Sequence, residues 1–412
     1  MTRYLQEKTL FGPQISSRVA TNLGLIIVIP CSDEEALLLS LMSLKKCSPP
    51  NCSVEVIVVI NHSETADNQV VHRNNETYKE AISWAEMNSS PEFKFHILFH
   101  GDLPRKHAGV GLARKIGMDE AAWRLEKVGN PHGVIVCFDA DSRCDRNYLT
   151  SIEKHFQSNS KTTACGIHFE HPLSGLDFDE EIYHAITLYE LHLRYYVHAQ
   201  QFSGFPFAHQ TIGSSMAVRA IAYQRQGGMN KRKAGEDFYF LHKFIELGNF
   251  TTIKTTKVIP SPRPSHRVPF GTGKAVGQLL KNKMEYKTYA PESFVALKTL
   301  FEHLPQHYSL DAEQVLSNIA APIAAFLPTV NFKKKWDELH QHTGDFTAFE
   351  KRFFRWFNAF MLMKYVHYSR DHFHPDVDVV EASKFILEQS GNQVPQEAKK
   401  QLLVFRQLDL AQ

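Results

Sequence analysis

Two carboxylates directly follow an apolar run in the first half of the chain. Residues 134–138 read Val-Ile-Val-Cys-Phe, and Asp139 and Asp141 come next. Such a run predicts a buried strand, and side chains at positions i and i+2 of an extended chain point the same way. Open α/β sheets bind ligands at the carboxyl ends of their strands, where paired carboxylates suit a hard divalent cation. The spacing predicts a cation and phosphate site, with an ordinary strand-ending turn as the alternative.

A second acid pair lies a hundred residues further along. Glu236 and Asp237 follow a glycine and precede Phe-Tyr-Phe-Leu-His-Lys-Phe, an apolar run with helical character. The two carboxylates are therefore expected in the first turn of a helix, and an acidic helix start without further function is the alternative.

Strand and helix patterns alternate through the region that carries these acids. The alternation predicts an α/β fold with a parallel wound sheet and helices on both faces. Predicted strands cover residues 25–29, 54–60, 93–99, 134–138 and 164–169, with a last short strand between residues 251 and 267. Predicted helices cover residues 33–47, 77–87, 110–127, 148–157 and 179–200, and residues 202–211 are expected to form a loop.

Length and composition are those of an ordinary globular protein. The 412 residues allow one large α/β domain and a second unit, and we expect a leader at 1–22, a catalytic domain at 23–273 and a helical region at 274–412. A formal net charge of +2 does not favour nucleic acid as a partner. Six cysteines without C-x-x-C spacing, and no long apolar segment, predict reduced thiols and a cytoplasmic protein.

Three further segments have compositions that suggest binding. Residues 109–117 combine glycines with a predicted helix start that can bind phosphate, although Arg114 stands where a dinucleotide fingerprint has its third glycine. Arg263, His266 and Arg267 lie in a proline-rich basic loop that we expect to close over a diphosphate; His266 is a candidate metal ligand or an ordinary surface histidine. The aromatic residues 349–368 predict a helix that packs on the catalytic domain, with peripheral membrane contact as the alternative.

Taken together, residues 25–247 resemble the family 2 glycosyltransferases, enzymes of the GT-A fold that use nucleotide-sugar donors. The resemblance rests on a combination of short motifs in a fixed order. These are Pro30 with Glu34-Glu35, the Gly111 to Gly117 helix start, Asp139-Ala140-Asp141, the Gly213 to Arg219 segment, and Glu236-Asp237. It implies a GT-A-type wound sheet with a mainly helical C-terminal extension.

The resemblance also implies roles for individual residues. Asp141 would bind a divalent cation, Mn²⁺ or Mg²⁺, on the donor diphosphate, Asp139 would contact the ribose or the cation, and Asp237 would be the general base supported by Glu236. The expected donor-binding residues are Pro30, Glu35, Asn61, Gly111, Arg114, Asp139, Arg263 and Arg267. The expected acceptor-side residues are Gly213, Ser214 and Ser215. The expected metal ligands are Asp141, Asp139 and His266.

One departure leaves the donor open. Where the family commonly has two acids after the second strand, this chain has Ile60-Asn61, so the nucleoside base is not determined. The expected activity is transfer of a sugar, of hexosyl type, to a carbohydrate or lipid-linked hydroxyl with inversion. The alternatives are a retaining GT-A transferase, a GT-A-like nucleotidyltransferase, and a non-catalytic nucleotide-sugar-binding or scaffolding protein.

Overall fold

The computed structural model describes residues 1–267, 271–282, 284–391 and 394–411. The chain forms two compact units: residues 1–172 with 211–277, and residues 173–210 with 278–412. The predicted catalytic range, residues 23–273, thus contributes to both units, and its residues 268–270 lie outside the described part. The predicted leader, residues 1–22, belongs to the first unit.

Ten strands occur in the described residues, in an eight-stranded and a two-stranded sheet. In chain order they are β1 Leu23–Cys31, β2 Ser53–Ser63, β3 Phe93–Leu103, β4 Val134–Cys137, β5 Arg143–Cys144, β6 Ala164–Phe169, β7 Met216–Arg219, β8 Phe250–Ile259, β9 Lys287–Thr288 and β10 Val377–Asp378. The large sheet belongs to the first unit and has the order β3-β2-β1-β4-β7-β6-β8-β5.

The large sheet confirms the predicted α/β class and corrects its detail. Strands β1 to β4 pair in parallel, and β1, β2 and β4 are apolar runs that are almost wholly buried, as expected for strands covered on both faces. The sheet also contains antiparallel pairings that the sequence pattern did not indicate: β7 lies antiparallel between β4 and β6, and β5 pairs antiparallel with β8. Strand β7 has four residues, too few for a periodic pattern.

Eighteen helices lie in the described residues. In chain order they are α1 Arg3–Glu7, α2 Leu37–Lys45, α3 Asn68–Asn88, α4 Val110–Lys127, α5 Tyr148–Ser158, α6 Glu180–Phe202, α7 Ala220–Arg225, α8 Glu236–Ile245, α9 Thr272–Lys281, α10 Pro291–Glu302, α11 Leu304–His307, α12 Ala312–Asn318, α13 Ala321–Thr329, α14 Phe332–Gln341, α15 Phe346–Trp356, α16 Ala359–His372, α17 Val379–Gln389 and α18 Ala398–Ala411.

Helices α2 and α4 position the site. Helix α4 has the predicted bounds, and Gly117 lets it lie against the sheet, since a Cβ there would come within 2.5 Å of Val28 Cγ1. Helix α2 begins at Leu37, four residues later than predicted, because Asp33 adopts a left-handed φ of 52° that ends strand β1 in a turn. Residues 33–35 therefore form the connection, not the first turn of the helix.

The second unit is mainly helical, which confirms the predicted helical C-terminal region. Helix α6 packs against α17 and α18, and Arg194 and Arg406 of this contact share the buried Glu190 carboxylate. In the aromatic segment predicted to pack, Phe349 and Phe353 are buried and contact aromatic residues of the same unit. None of the helices in the described parts of the chain combines the length and apolarity needed to cross a bilayer.

Candidate functional site

The predicted site residues all belong to the first unit. They lie at the carboxyl ends of β1, β2 and β4, at the start of α4, in the connection before β7, at the start of α8 and in the segment after β8. Parallel strands with helices on both faces bring such ends to one edge of a sheet.

The turn after β4 directs the two aspartates to different partners. The N–H of Ser142 donates to the carbonyl of Asp139 at 3.1 Å, so the chain turns at Ala140. The expectation that both carboxylates point the same way along an extended strand was therefore wrong. Asp139 binds Arg114, whereas Asp141 binds Arg263. The Ser40 hydroxyl of α2 holds this turn, at 2.8 Å from the Ala140 carbonyl oxygen and 2.7 Å from that of Ser142.

Arg114 joins the two acid pairs. Its guanidinium donates to Asp139 Oδ1 at 2.5 Å through Nη2 and to Glu236 Oε1 through Nη1, and its side chain is 3% exposed. Gly213 leaves room for this group, because a Cβ there would come within 2.3 Å of Arg114 Nη1. Gly111 likewise admits the start of α8, since its Cβ would meet Glu236 Cβ at 3.0 Å. Arg114 thus positions the acid pairs, a role that sequence reasoning missed, and its donor contact stays a prediction.

Glu236 and Asp237 begin α8, as predicted, after Gly235 in the left-handed region at φ 69°. Burial raises the pKa of Glu236 to about 7, with Arg114 opposing the shift and Asp237 adding to it. Burial also raises the pKa of Asp237, although Arg114 and the Phe238 amide, which donates to Oδ1 at 2.8 Å, counteract it. One bonded cation among three neighbouring carboxylates explains why this pair retains a proton near neutral pH.

Two arginines from the segment after β8 bind the other carboxylates. Arg263 donates to Asp141 Oδ2 from Nε and Nη2, both at 3.1 Å, and to Glu34 Oε2. Arg267 Nη1 lies 2.9 Å from Glu34 Oε2, and its Nη2 lies 3.5 Å from Asp141 Oδ2. Burial and the Glu34 charge raise the pKa of Asp141, and Arg263 opposes them. Glu34 is fully buried, yet both arginines keep more than a quarter of their side-chain surface exposed.

Two of the predicted donor-binding residues, Asn61 and Glu35, differ in exposure. Asn61 is buried, and its carbonyl accepts a hydrogen bond from Asn74 Nδ2 at 3.0 Å. Glu35 is largely exposed, and its carboxylate lies 3.1 Å from Arg73 Nη2, which sequence reasoning did not single out. Arg73 Nη1 also binds Asp33 Oδ1 at 2.9 Å, a contact 40 residues apart that no local pattern indicates.

The remaining predicted site residues differ in exposure. Pro30 is buried near the end of β1. Ser214 and Ser215 are buried, with their hydroxyl oxygens 3.4 Å apart, so an acceptor contact from either would require movement. His266 is exposed. Across the described residues, no group of three or more His, Cys, Asp or Glu side chains is arranged to hold a metal ion.

Solved structures of one other protein show a distant similarity to the chain. No protein-family model and no curated protein matches it. Among solved structures it is similar to S. aureus TarS 1–349 in complex with UDP-GlcNAc, at 12% identity and a TM-score of 0.42, over 77% of this chain and 92% of that one. The same fragment in complex with UDP has 11% identity and a TM-score of 0.40, over 78% of this chain and 92% of that one. A structure of S. aureus TarS has 12% identity and a TM-score of 0.38, over 76% of this chain and 53% of that one. These similarities are too distant to identify a family.

Proposed function

We propose that the chain is a glycosyltransferase that moves a sugar, of hexosyl type, from a nucleoside diphosphate donor to a hydroxyl acceptor with inversion, as expected of a family 2 enzyme of the GT-A fold. The observation that carries the proposal is the charge arrangement. Arg114 joins Asp139 to Glu236, and a separate arginine pair lies on Asp141 at the same sheet edge. The arginine pair thus offers positive charge to an anionic leaving group, and the Glu236-Asp237 pair offers a carboxylate that can accept a proton from the acceptor.

The arginine pair would bind the donor diphosphate. Arg263 and Arg267 are partly exposed and already meet at Glu34 and Asp141. A diphosphate offers the same charge-assisted hydrogen bonds with a higher negative charge, so it would draw both guanidinium groups onto its oxygens. There they would stabilise the charge that develops on the leaving group.

The acid pair would activate the acceptor. Asp237 would take the proton from the acceptor hydroxyl as the bond to the sugar forms, and Glu236, held by Arg114, would position it. The raised pKa of Asp237 makes this carboxylate a stronger base than an ordinary aspartate. The acceptor, a carbohydrate or lipid-linked hydroxyl, would enter beside the segment with Gly213, Ser214 and Ser215.

A divalent cation, Mn²⁺ or Mg²⁺, fits the chemistry of Asp141 in part. The arginines contact its Oδ2, and Oδ1 has no hydrogen-bond partner among the described residues. A carboxylate oxygen suits either cation, but phosphate oxygens, water, Asp139 or His266 would have to complete the ligand set. Such a cation would neutralise diphosphate charge. Pro30, Glu35, Asn61 and Gly111 complete the proposed donor contacts.

The decisive experiment is a calorimetric titration of the full chain with UDP, GDP, ADP and CDP, each with and without Mn²⁺. One diphosphate should bind clearly more tightly than the others, and more tightly with Mn²⁺. No binding to any of them refutes the proposal. With the matching nucleotide sugar, release of nucleoside diphosphate supports transfer, release of pyrophosphate indicates a nucleotidyltransferase, and the product anomer distinguishes inversion from retention.

Variants test the arginine pair. Arg263→Gln and Arg267→Gln should each weaken diphosphate binding by about 10-fold or more, since a hydrogen bond to a charged group contributes on the order of 1.5–3 kcal/mol. Arg3→Gln is the matched control, because Arg3 forms an exposed ion pair with Glu7 at 2.8 Å in the same unit. Equal affinity in all three variants would remove the arginines from the site.

A further inference from the structure

A pair of cysteines lies beside the turn after β4 that carries Asp139 and Asp141, called the acidic turn below. Cys47 follows α2 and Cys144 ends β5, and their Sγ atoms are 3.6 Å apart although 97 residues separate them in sequence. Both cysteine residues are half-buried. The two backbones also meet, because the Ser48 N–H donates to the Arg146 carbonyl at 2.7 Å.

The two thiols have different environments. The hydrogen bond from Cys144 lowers the pKa of Cys47; burial opposes it, and the Leu149 and Tyr148 amides at the start of α5 add to the lowering. Two backbone carbonyl oxygens at 3.6 Å from Cys47 Sγ favour the protonated form. The same hydrogen bond raises the pKa of Cys144, as does burial. The directions of the two pKa shifts favour Cys47 as the attacking thiol and Cys144 as the resolving thiol.

We propose that Cys47 and Cys144 form an oxidative modification site at which a hydroperoxide produces an intramolecular disulfide. The Cys47 thiolate attacks one peroxide oxygen, the O–O bond breaks, and Cys47 becomes a sulfenic acid while hydroxide leaves. Cys144 Sγ then attacks Cys47 Sγ, its proton and the sulfenic hydroxyl leave as water, and the S–S bond forms. Two thiols are oxidised by two electrons, and one hydrogen peroxide is reduced to two waters.

The disulfide would fix α2 to the turn that carries the first acid pair. Hydrogen bonds already join the two: Ser40 contacts the carbonyl oxygens of the turn, and Ser43 Oγ accepts the Cys144 N–H at 3.0 Å. A covalent bond three residues after Asp141 would restrict the opening of this turn. Any effect on donor binding rests on the proposed function, whereas disulfide formation and the restriction do not.

The test uses the full chain and hydrogen peroxide, followed by alkylation and peptide mass spectrometry. The expected main product joins Cys47 to Cys144. Cys144→Ser should instead accumulate a sulfenic acid at Cys47 that dimedone traps, and Cys47→Ser should yield neither product. Cys52→Ser is the matched control: Cys52 is also half-buried, but burial and Glu153 raise its pKa to about 12, so this variant should behave as wild type.

Two further measurements make the proposal refutable. At pH 7 iodoacetamide should alkylate Cys47 at least about tenfold faster than Cys52, because the thiolate is the reactive form. Amide exchange across residues 139–145 should slow by about fivefold or more after oxidation, since cross-linking suppresses local opening. Oxidation of other cysteines without the Cys47–Cys144 product would overturn the modification site. A disulfide that leaves exchange unchanged would overturn its effect on the turn.

Discussion

The replacement Glu236→Gln tests the charge balance around Arg114. Glutamine keeps the shape of the side chain and an oxygen that can accept the Arg114 hydrogen bond, but it carries no charge at any pH. The Glu236 side chain is 3% exposed, and its neighbours Asp139 and Asp237 compete for the same guanidinium. Ionising Glu236 in the wild-type protein therefore costs free energy of folding, whereas the glutamine variant has no charge to bury.

The magnitude follows from the two protonation states. Burial raises the pKa of Glu236 from 4.5 to about 7, so the folded protein retains a proton that the unfolded chain has released between these pH values. The contribution to stability is fully present below pH 4.5, decreases as the pH rises toward 7, and is absent above it. At 1.36 kcal/mol per pH unit, the free energy of unfolding falls by about 3 kcal/mol across this window.

The assay is urea unfolding, followed by circular dichroism, of wild type and Glu236→Gln from pH 5 to pH 8. The two proteins should differ by less than about 1 kcal/mol at pH 5, where most Glu236 is protonated. At pH 8 the variant should be the more stable by up to about 3 kcal/mol. Contributions from titrating groups that do not contact Glu236, Asp237 or Arg114 largely cancel in the difference.

Glu55→Gln is the matched control, because Glu55 is also a buried glutamate bonded to an arginine in the same unit. Arg124 donates to it at 2.7 Å, and although burial acts to raise its pKa, this bond lowers the pKa to about 2. The stabilising effect is present above pH 4.5 and lost as the pH falls toward 2, so Glu55→Gln should be destabilised at both pH 5 and pH 8, by roughly 3–5 kcal/mol. If Glu236→Gln is also less stable than wild type at pH 8, the reasoning about Glu236 is wrong.

Three other outcomes are expected. Gly213→Ala should destabilise the first unit by about 1–3 kcal/mol in thermal unfolding, because its Cβ displaces Arg114, whereas Gly12→Ala, with no atom within 4 Å of the new Cβ, should not. Ser40→Ala should cost about 1–3 kcal/mol in urea unfolding and weaken diphosphate binding, since the acidic turn loses its contact with α2. If the proposed transfer occurs, kcat/KM should rise between pH 5 and pH 8, because the acid pair of Glu236 and Asp237 loses its proton as the pH passes the Glu236 pKa of about 7. A rate of nucleoside diphosphate release that does not depend on pH would contradict Asp237 as the base.

The elements that the sequence predicts well are those with long local patterns. Strands β1 and β2 contain β-branched runs at residues 26–29 and 56–60, and α4 is a helix whose start and end the composition marks. Short features that depend on tertiary contacts were not predicted. Strand β7 exists because β4 and β6 lie on both sides of it, and the turn at Ala140 is held by a serine one hundred residues away. A four-residue strand and a hydrogen bond to a distant helix leave no periodic signal.

In the candidate site, too, the sequence indicates which residues take part but not which of them contact each other. Sequence motifs identify the acids and the basic residues, but Asp141 and Arg263 are 122 residues apart, and only the fold pairs them. This pairing bears on how ligands bind. A diphosphate that bound alone and drew the arginines onto its oxygens would leave Glu34 and Asp141 without their partners, at a cost of several kcal/mol. With a cation bound at Asp141 as well, the arginines would contact phosphate oxygens while Glu34 and Asp141 kept a positive charge beside them. If the proposed cation binds, this charge arrangement favours joint binding, and nucleotide affinity should then be higher with Mn²⁺ than without it.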